Sequence, residues 1–60
     1  MTKFRKITTV LNESGKKTIK EIANKTGLSE QAVVDTILKH QEIIESKEKG
    51  IYYYSYQYPS

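Results

Sequence analysis

The chain has 60 residues, 37% of them hydrophobic, with a formal net charge of +3, one histidine and no cysteine. At this length folding buries only ~60% of the unfolded surface, so a single small domain with an economical core is expected, and the lack of cysteine excludes a disulfide framework or a thiolate metal site. No apolar run approaches the ~20 residues of a membrane span, and the N-terminus lacks the apolar segment of a secretion signal; a soluble, cytoplasmic protein is the expectation. Charge is unevenly spread. Residues 1–28 carry seven basic side chains against two acidic ones, whereas residues 29–60 carry three against five. A basic half favours a polyanion partner through counterion release; lysines that merely solvate helix surfaces give the same count.

In chain order, the first helix is expected from about Thr2 to Glu13, with Phe4, Ile7, Val10 and Leu11 on one face and Lys3, Arg5 and Lys6 in solvent. Asn12, Ser14 and Gly15 end it, and Lys16-Lys17 lead on through a short extended piece. The stretch Thr18 to Leu38, TIKEIANKTGLSEQAVVDTIL, then reads as two helices held at an angle by Thr26-Gly27-Leu28-Ser29. Ile19, Ile22 and Ala23 repeat at helical spacing. Thr18 and Glu21 have the spacing of a capping box, in which each side chain satisfies a backbone donor at the helix start. Gly27 stands where that helix must stop, because a left-handed backbone carries no Cβ penalty there. Leu28 fills the corner, Ser29 caps the next helix, and Ala23 keeps the two helices close. That third helix runs to about Gln41, with Val33 and Ile37 facing the core.

After it the period changes. Ile43-Ile44-Glu45-Ser46 and Ile51-Tyr52-Tyr53-Tyr54-Ser55-Tyr56 are β-branched and aromatic runs on either side of Lys47-Glu48-Lys49-Gly50, which predicts a hairpin. A four-residue loop pairs Ser46 with Ile51 and Ile44 with Tyr53, turning Ile44, Ile51 and Tyr53 inward and Ile43, Tyr52 and Tyr54 outward. A two-residue loop at Lys49-Gly50 shifts this pairing. Pro59 and Ser60 are expected to fray. The predicted fold class is α+β, mainly α: a three-helix winged helix-turn-helix with a C-terminal two-stranded wing, one domain over 1–60, the helix-turn-helix at 18–41 and the wing hairpin at 43–56.

On these residues the chain resembles the winged helix-turn-helix transcriptional regulators of the ArsR/MarR type. Ile19-Lys20-Glu21-Ile22-Ala23 resembles the second helix of that family, Thr26-Gly27-Leu28-Ser29 its turn, and Ala32-Val33 with Ile37 the core side of its recognition helix. Ile43-Ile44-Glu45-Ser46 and Ile51-Tyr52-Tyr53-Tyr54 are similar to its wing strands. The resemblance implies a sequence-specific binder of double-stranded DNA that regulates transcription, with the third helix (29–41) in the major groove and the wing (47–50) on the backbone. Residue by residue it implies a DNA-facing set of Lys17, Thr18, Lys20, Ser29, Glu30, Gln31, Val34, Asp35, Lys39, Lys47 and Lys49, with Leu38 near the groove. The family often has Ser and Arg where this chain has Val34 and Asp35, and Leu where it has His40. Gln31 suits base reading, since its amide can pair bidentately with adenine, and a carboxylate can accept from cytosine N4. The same face, acidic at Glu30 and Asp35 and apolar at Val34 and Leu38, also suits a protein partner, such as a polymerase subunit or another regulator, in the helix-in-groove manner.

Lys47 and Lys49 fit phosphate contacts at a loop tip; Glu48 between them favours instead a charged turn that keeps a sheet edge from sticking. A phosphate at the start of the second helix is expected to find free backbone donors beside Lys17. His40 follows Val33 and Ile37 at helical spacing and reads as a packing histidine. Tyr52, Tyr54, Tyr56 and Tyr58 share a face too aromatic to leave bare. Together with Phe4, Ile7, Val10 and Leu11 they are expected to form a two-fold homodimer interface, which would set two recognition helices ~34 Å apart on a palindromic site. There is no Ser/His/Asp constellation, glycine-rich phosphate loop or metal-ligand cluster, so neither an enzyme nor a cofactor is expected. Without a second domain for an effector, regulation by abundance and a nucleoid-associated location follow as expectations.

Overall fold

The computed structural model describes residues 2–56. Its first helix, α1 (Lys3–Ser14), begins where the Thr2 hydroxyl accepts a hydrogen bond from the Arg5 amide at 3.2 Å. It ends at Gly15, whose φ of 78° lets the chain turn while its amide still reaches the Leu11 carbonyl at 3.0 Å. Helix α2 (Ile19–Thr26) starts with the complete capping box: the Glu21 amide donates to the Thr18 hydroxyl at 3.3 Å, and the Thr18 amide donates to the Glu21 carboxylate at 3.1 Å. Gly27 stops it in the left-handed region, at φ 76° and ψ 8°. Helix α3 (Glu30–Lys39) follows α2 after three residues, Gly27, Leu28 and Ser29, with the Ser29 hydroxyl accepting from the Ala32 amide. These starts and stops follow from local chemistry and lie where the sequence predicts them, except that α3 ends at Lys39 and not at Gln41.

Strands β1 (Ile44–Glu48) and β2 (Ile51–Ser55) form an antiparallel pair, and the whole is a three-helix, mainly α arrangement with a winged-helix layout. On the other edge of β2, Lys17 makes an isolated bridge with Tyr54, the short extended piece expected ahead of α2. The core gathers Ile7 and Leu11 from α1, Ile22 and Ala23 from α2, Val33 from α3, and Ile43 and Tyr54 from the hairpin. Ile7, Leu11, Ile22 and Val33 are completely enclosed, each burial being worth ~1.5–3 kcal/mol. Phe4, Ile19, Leu28, Ile37 and Tyr56 pack around them.

Two threonines join this core. Thr8 and Thr36 are buried, and each hydroxyl donates to a carbonyl of its own helix, Arg5 at 3.2 Å and Ala32 at 2.8 Å. With the hydroxyl satisfied locally, the rest of the side chain packs much as valine would. A count of apolar residues passes over both positions.

The hairpin corrects two expectations. Its loop has two residues, Lys49 and Gly50, both at positive φ (52° and 81°), as a type I′ turn requires. The pairing is therefore Glu48 with Ile51, Ser46 with Tyr53 and Ile44 with Ser55, two residues along from the four-residue-loop register. That slide leaves the membership of each face unchanged, but the face that looks inward is the opposite one. Ile43 and Tyr54 are buried, whereas Ile44 and Ile51 are exposed. The physical reason is the Lys17 bridge, which ties Tyr54 to the chain ahead of α2 and sets its large ring against α1 and α2. Tyr52 belongs to the same face as Tyr54 but stands nearer the tip, beyond the helices, and half of it is exposed.

The expected dimer face changes accordingly. Ile7, Leu11 and Tyr54 are inside the chain's own core and have no surface to offer a second copy. Phe4 is half-buried, stacked on His40 with ring centres 4.0 Å apart and meeting Tyr56 edge-on at 5.9 Å. Of the expected set Val10 is half-buried and Tyr52 exposed, while Tyr58, like Pro59 and Ser60, lies outside the described residues.

Candidate nucleic-acid interface

Helix α3 has two chemically distinct sides. Val33 and Thr36 are buried and Ile37 packs against the core, which holds the helix in place. On the other side Glu30, Gln31, Asp35, Leu38 and Lys39 are exposed and Val34 is half-buried. Leu38 stands out most, at 77% exposure. Successive turns of one helix thus carry the core contacts and the outward set, as a spacing of 3.6 residues per turn dictates.

Within the outward set the Gln31 side-chain amide donates to the Asp35 carboxylate at 2.9 Å, one helical turn on. This pairing has a chemical consequence. A carboxamide nitrogen has two N–H donors, so the bond to Asp35 leaves one donor and the carbonyl oxygen of Gln31 open to solvent. Those are the two groups that bidentate pairing with adenine uses. Asp35 also biases the direction of the exposed Gln31 side chain, by the ~0.2–0.5 kcal/mol of an i,i+4 pair.

The start of α2 is less open than the sequence reading expects. Thr18 and Glu21 occupy two backbone donors there, and the Glu21 carboxylate stands over the helix start. The Thr18 amide, followed by the Thr18 hydroxyl, Lys17 and Lys25, holds that carboxyl below its ordinary range, although desolvation works in the opposite direction. An incoming phosphate meets this anion as well as Lys17 and Lys20. An open groove of about 640 Å³ lies alongside, bounded by Lys20, Glu21, Asn24, Leu28, Ser29 and Glu30. Its rim carries both signs of charge.

On the wing, Lys49 sits at the turn, and Lys47 lies over the Tyr52 ring with its ammonium 5.4 Å from the ring centre. Glu48 is paired with Lys16, which crosses the Tyr53 ring at 5.2 Å on the way. Lys16 is absent from the sequence-predicted set. Its only signal was its place beside Lys17 in an extended piece, where neighbouring side chains point to opposite faces. By taking up Glu48 it leaves Lys47 and Lys49 as the cations of the tip.

His40 packs as expected, its ring stacked on Phe4 and its Nδ1 3.9 Å from the Glu42 carboxylate. Among the described residues no group of three or more His, Asp or Glu side chains could hold a metal ion. No described helix is long and apolar enough to cross a membrane. Comparison with protein families, curated proteins and solved structures finds no match for this chain.

Proposed function

We propose that this chain is a small winged helix-turn-helix regulator that binds double-stranded DNA, with α3 in the major groove and the wing tip on the phosphate backbone. The observation that carries this reading is the division of α3: one side is locked to the core by Val33, Thr36 and Ile37, and the other presents the oriented Gln31–Asp35 pair. Gln31 reads adenine with its remaining N–H and its carbonyl oxygen, and Asp35 accepts from cytosine N4. Lys47 and Lys49 contact phosphate and position the helix without reading sequence.

Binding to random and selected duplexes across a salt series tests the proposal. Gln31→Ala should reduce preference among sequences, and Lys47→Ala should weaken every duplex alike and lower the salt slope by ~1. Undetectable affinity for duplex DNA even at low salt would sink the reading.

A second reading draws on Leu38, the most exposed large apolar side chain among the described residues, with two exposed carboxylates, Glu30 and Asp35, on the same helix. That surface suits a protein partner with an apolar groove edged by basic residues. Leu38→Ala separates the readings: it abolishes binding to such a partner, whereas DNA affinity falls only by the loss of a thymine-methyl contact.

A further inference from the structure

Among the described residues β1 packs on β2 and on no other element, and all of Ile44 to Glu48 is exposed. The far edge of β2 is closed by Lys17, whose amide donates to the Tyr54 carbonyl at 2.9 Å and whose carbonyl accepts from the Tyr54 amide at 2.8 Å. That bridge also fixes where the free groups of β1 point. Tyr54 directs both backbone groups at Lys17, so its pairing with Glu45 opposite is of the non-hydrogen-bonded kind. Glu45 therefore turns its N–H and C=O away from β2, and by the alternation of an antiparallel ladder Lys47 does the same. Such a row of unpaired groups is a template for another strand unless a proline, a bulge or charges that the incoming strand leaves unmatched blunt it. β1 has no proline, and its register with β2 runs unbroken from Ile44 to Glu48.

We propose that this edge takes a second copy of the chain, pairing β1 with β1 antiparallel about a two-fold axis through Ser46. The charge pattern selects both the occupant and the register. Outward-pointing groups must meet outward-pointing groups, so Glu45 and Lys47 face Glu45 or Lys47 of the partner subunit. Centring on Glu45 sets two carboxylates opposite each other, and centring on Lys47 sets two ammonium groups opposite each other. Centring on Ser46 sets each Glu45 against Lys47 of the partner subunit, twice, on one face of the sheet. Directly opposed side chains lie ~4.5–5.5 Å apart at Cβ, close enough for like charges to be excluded and opposite charges to bind.

The contacts already present agree with this arrangement. The Tyr54 hydroxyl donates to one oxygen of Glu45 at 2.9 Å, which steadies the carboxylate and leaves its second oxygen for an ammonium group. Lys47 rests over Tyr52 on the same face of the sheet, so its ammonium meets Glu45 of the partner subunit by swinging from β2 towards the free edge, without changing face. Pairing joins the two hairpins into a four-stranded sheet and narrows the exposure of Ile44, now 53%. The strand is short, so the association is weak and concentration-dependent. It rests on the edge alone and holds whether or not α3 binds DNA.

Sedimentation equilibrium of the full chain, up to about 1 mM, the weakest range in which a dimer is worth seeking, tests the proposal. The wild type should show a monomer–dimer equilibrium. Glu45→Lys and Lys47→Glu should each weaken it roughly tenfold, because like charges then oppose each other across both pairs. An equimolar mixture of the two variants should recover wild-type affinity as a heterodimer. Hydrogen exchange on the wild type gives a second readout that needs no variant: the Glu45 and Lys47 amides slow as concentration rises, while that of Ser46, already in the β2 ladder, does not change. A monomer at every concentration, single variants that associate like the wild type, or a mixture no tighter than its components would each overturn the proposal.

Discussion

Lys17 and Tyr54 exchange both of their backbone hydrogen bonds, at 2.9 and 2.8 Å, and so tie the chain ahead of α2 to the returning strand of the wing. The bridge fastens the hairpin to the helix-turn-helix and gives Tyr54 the buried side of the sheet. The Tyr54 hydroxyl, at the rim, donates to Glu45 on the neighbouring strand.

Tyr54 should therefore matter to stability in two separable ways. Tyr54→Ala removes a buried ring and is expected to cost ~3–5 kcal/mol, comparable to the whole stability of a domain this size at ~0.05–0.15 kcal/mol per residue; the variant should be largely unfolded by circular dichroism. Tyr54→Phe keeps the ring and loses one hydrogen bond, ~1 kcal/mol. Burial, followed by the hydrogen bond and charge of Glu45, pushes the Tyr54 hydroxyl up to about 12 from an ordinary value of 10.0. A raised folded-state value means that the native state holds its proton longer than the unfolded chain. This stabilisation is full below pH 10 and is lost as pH climbs towards 12. Urea unfolding of the wild type should show that alkaline loss, and the Phe variant should show less of it.

At the corner of the helix-turn-helix, a Cβ added to Gly27 meets nothing within 4 Å, so space is not the constraint. The φ of 76° is. Gly27→Ala should cost ~1–2 kcal/mol from backbone conformation alone, and Gly27→Asn, which tolerates the left-handed region, clearly less. Equal costs measured by thermal unfolding would contradict this account.

The Thr18–Glu21 box predicts coupling. Thr18→Ala should lose ~1 kcal/mol, and adding Glu21→Ala should cost little more, because the first change has already broken the reciprocal pair. Glu21 is held below its ordinary 4.5, so its contribution is present above that pH and disappears as pH falls through the lowered folded-state value. Acid titration of the Glu21→Gln variant should lack that component of the wild-type loss.

Two substitutions five residues apart in α3 should separate frame from surface. Val33 is fully enclosed, and Val33→Ala should cost ~2 kcal/mol in unfolding free energy. Leu38 is 77% exposed, and Leu38→Ala should stay within ~0.5 kcal/mol of the wild type. Any binding defect in the Leu38 variant then belongs to recognition.

The helices were legible in the sequence because their determinants are local. Thr2, Thr18 and Ser29 each cap within three residues of themselves, and Gly15 and Gly27 stop helices through their own backbone angles. The stripe of Ile7, Leu11, Ile22 and Val33 follows from helical period. Of the outward set on α3, Gln31 and Asp35 could be named from spacing, whereas their hydrogen bond is a matter of side-chain geometry. Lys16 was missed because its partner Glu48 is 32 residues away.

By itself the sequence determined the order of elements, the caps, the corner and the buried stripe of each helix, since each depends on residues within one or two turns. Which side of the hairpin faces inward was decided only by tertiary structure. Alternation sorts Ile43, Tyr54 and Tyr56 from Ile44, Ile51 and Tyr53 without choosing between them, because both sets are apolar enough to bury. The choice was made by Lys17, which pairs with Tyr54 across 37 residues of chain and brings that face of β2 against the helices. The same long-range contact removed Tyr54 from the surface and turned the free groups of β1 outward.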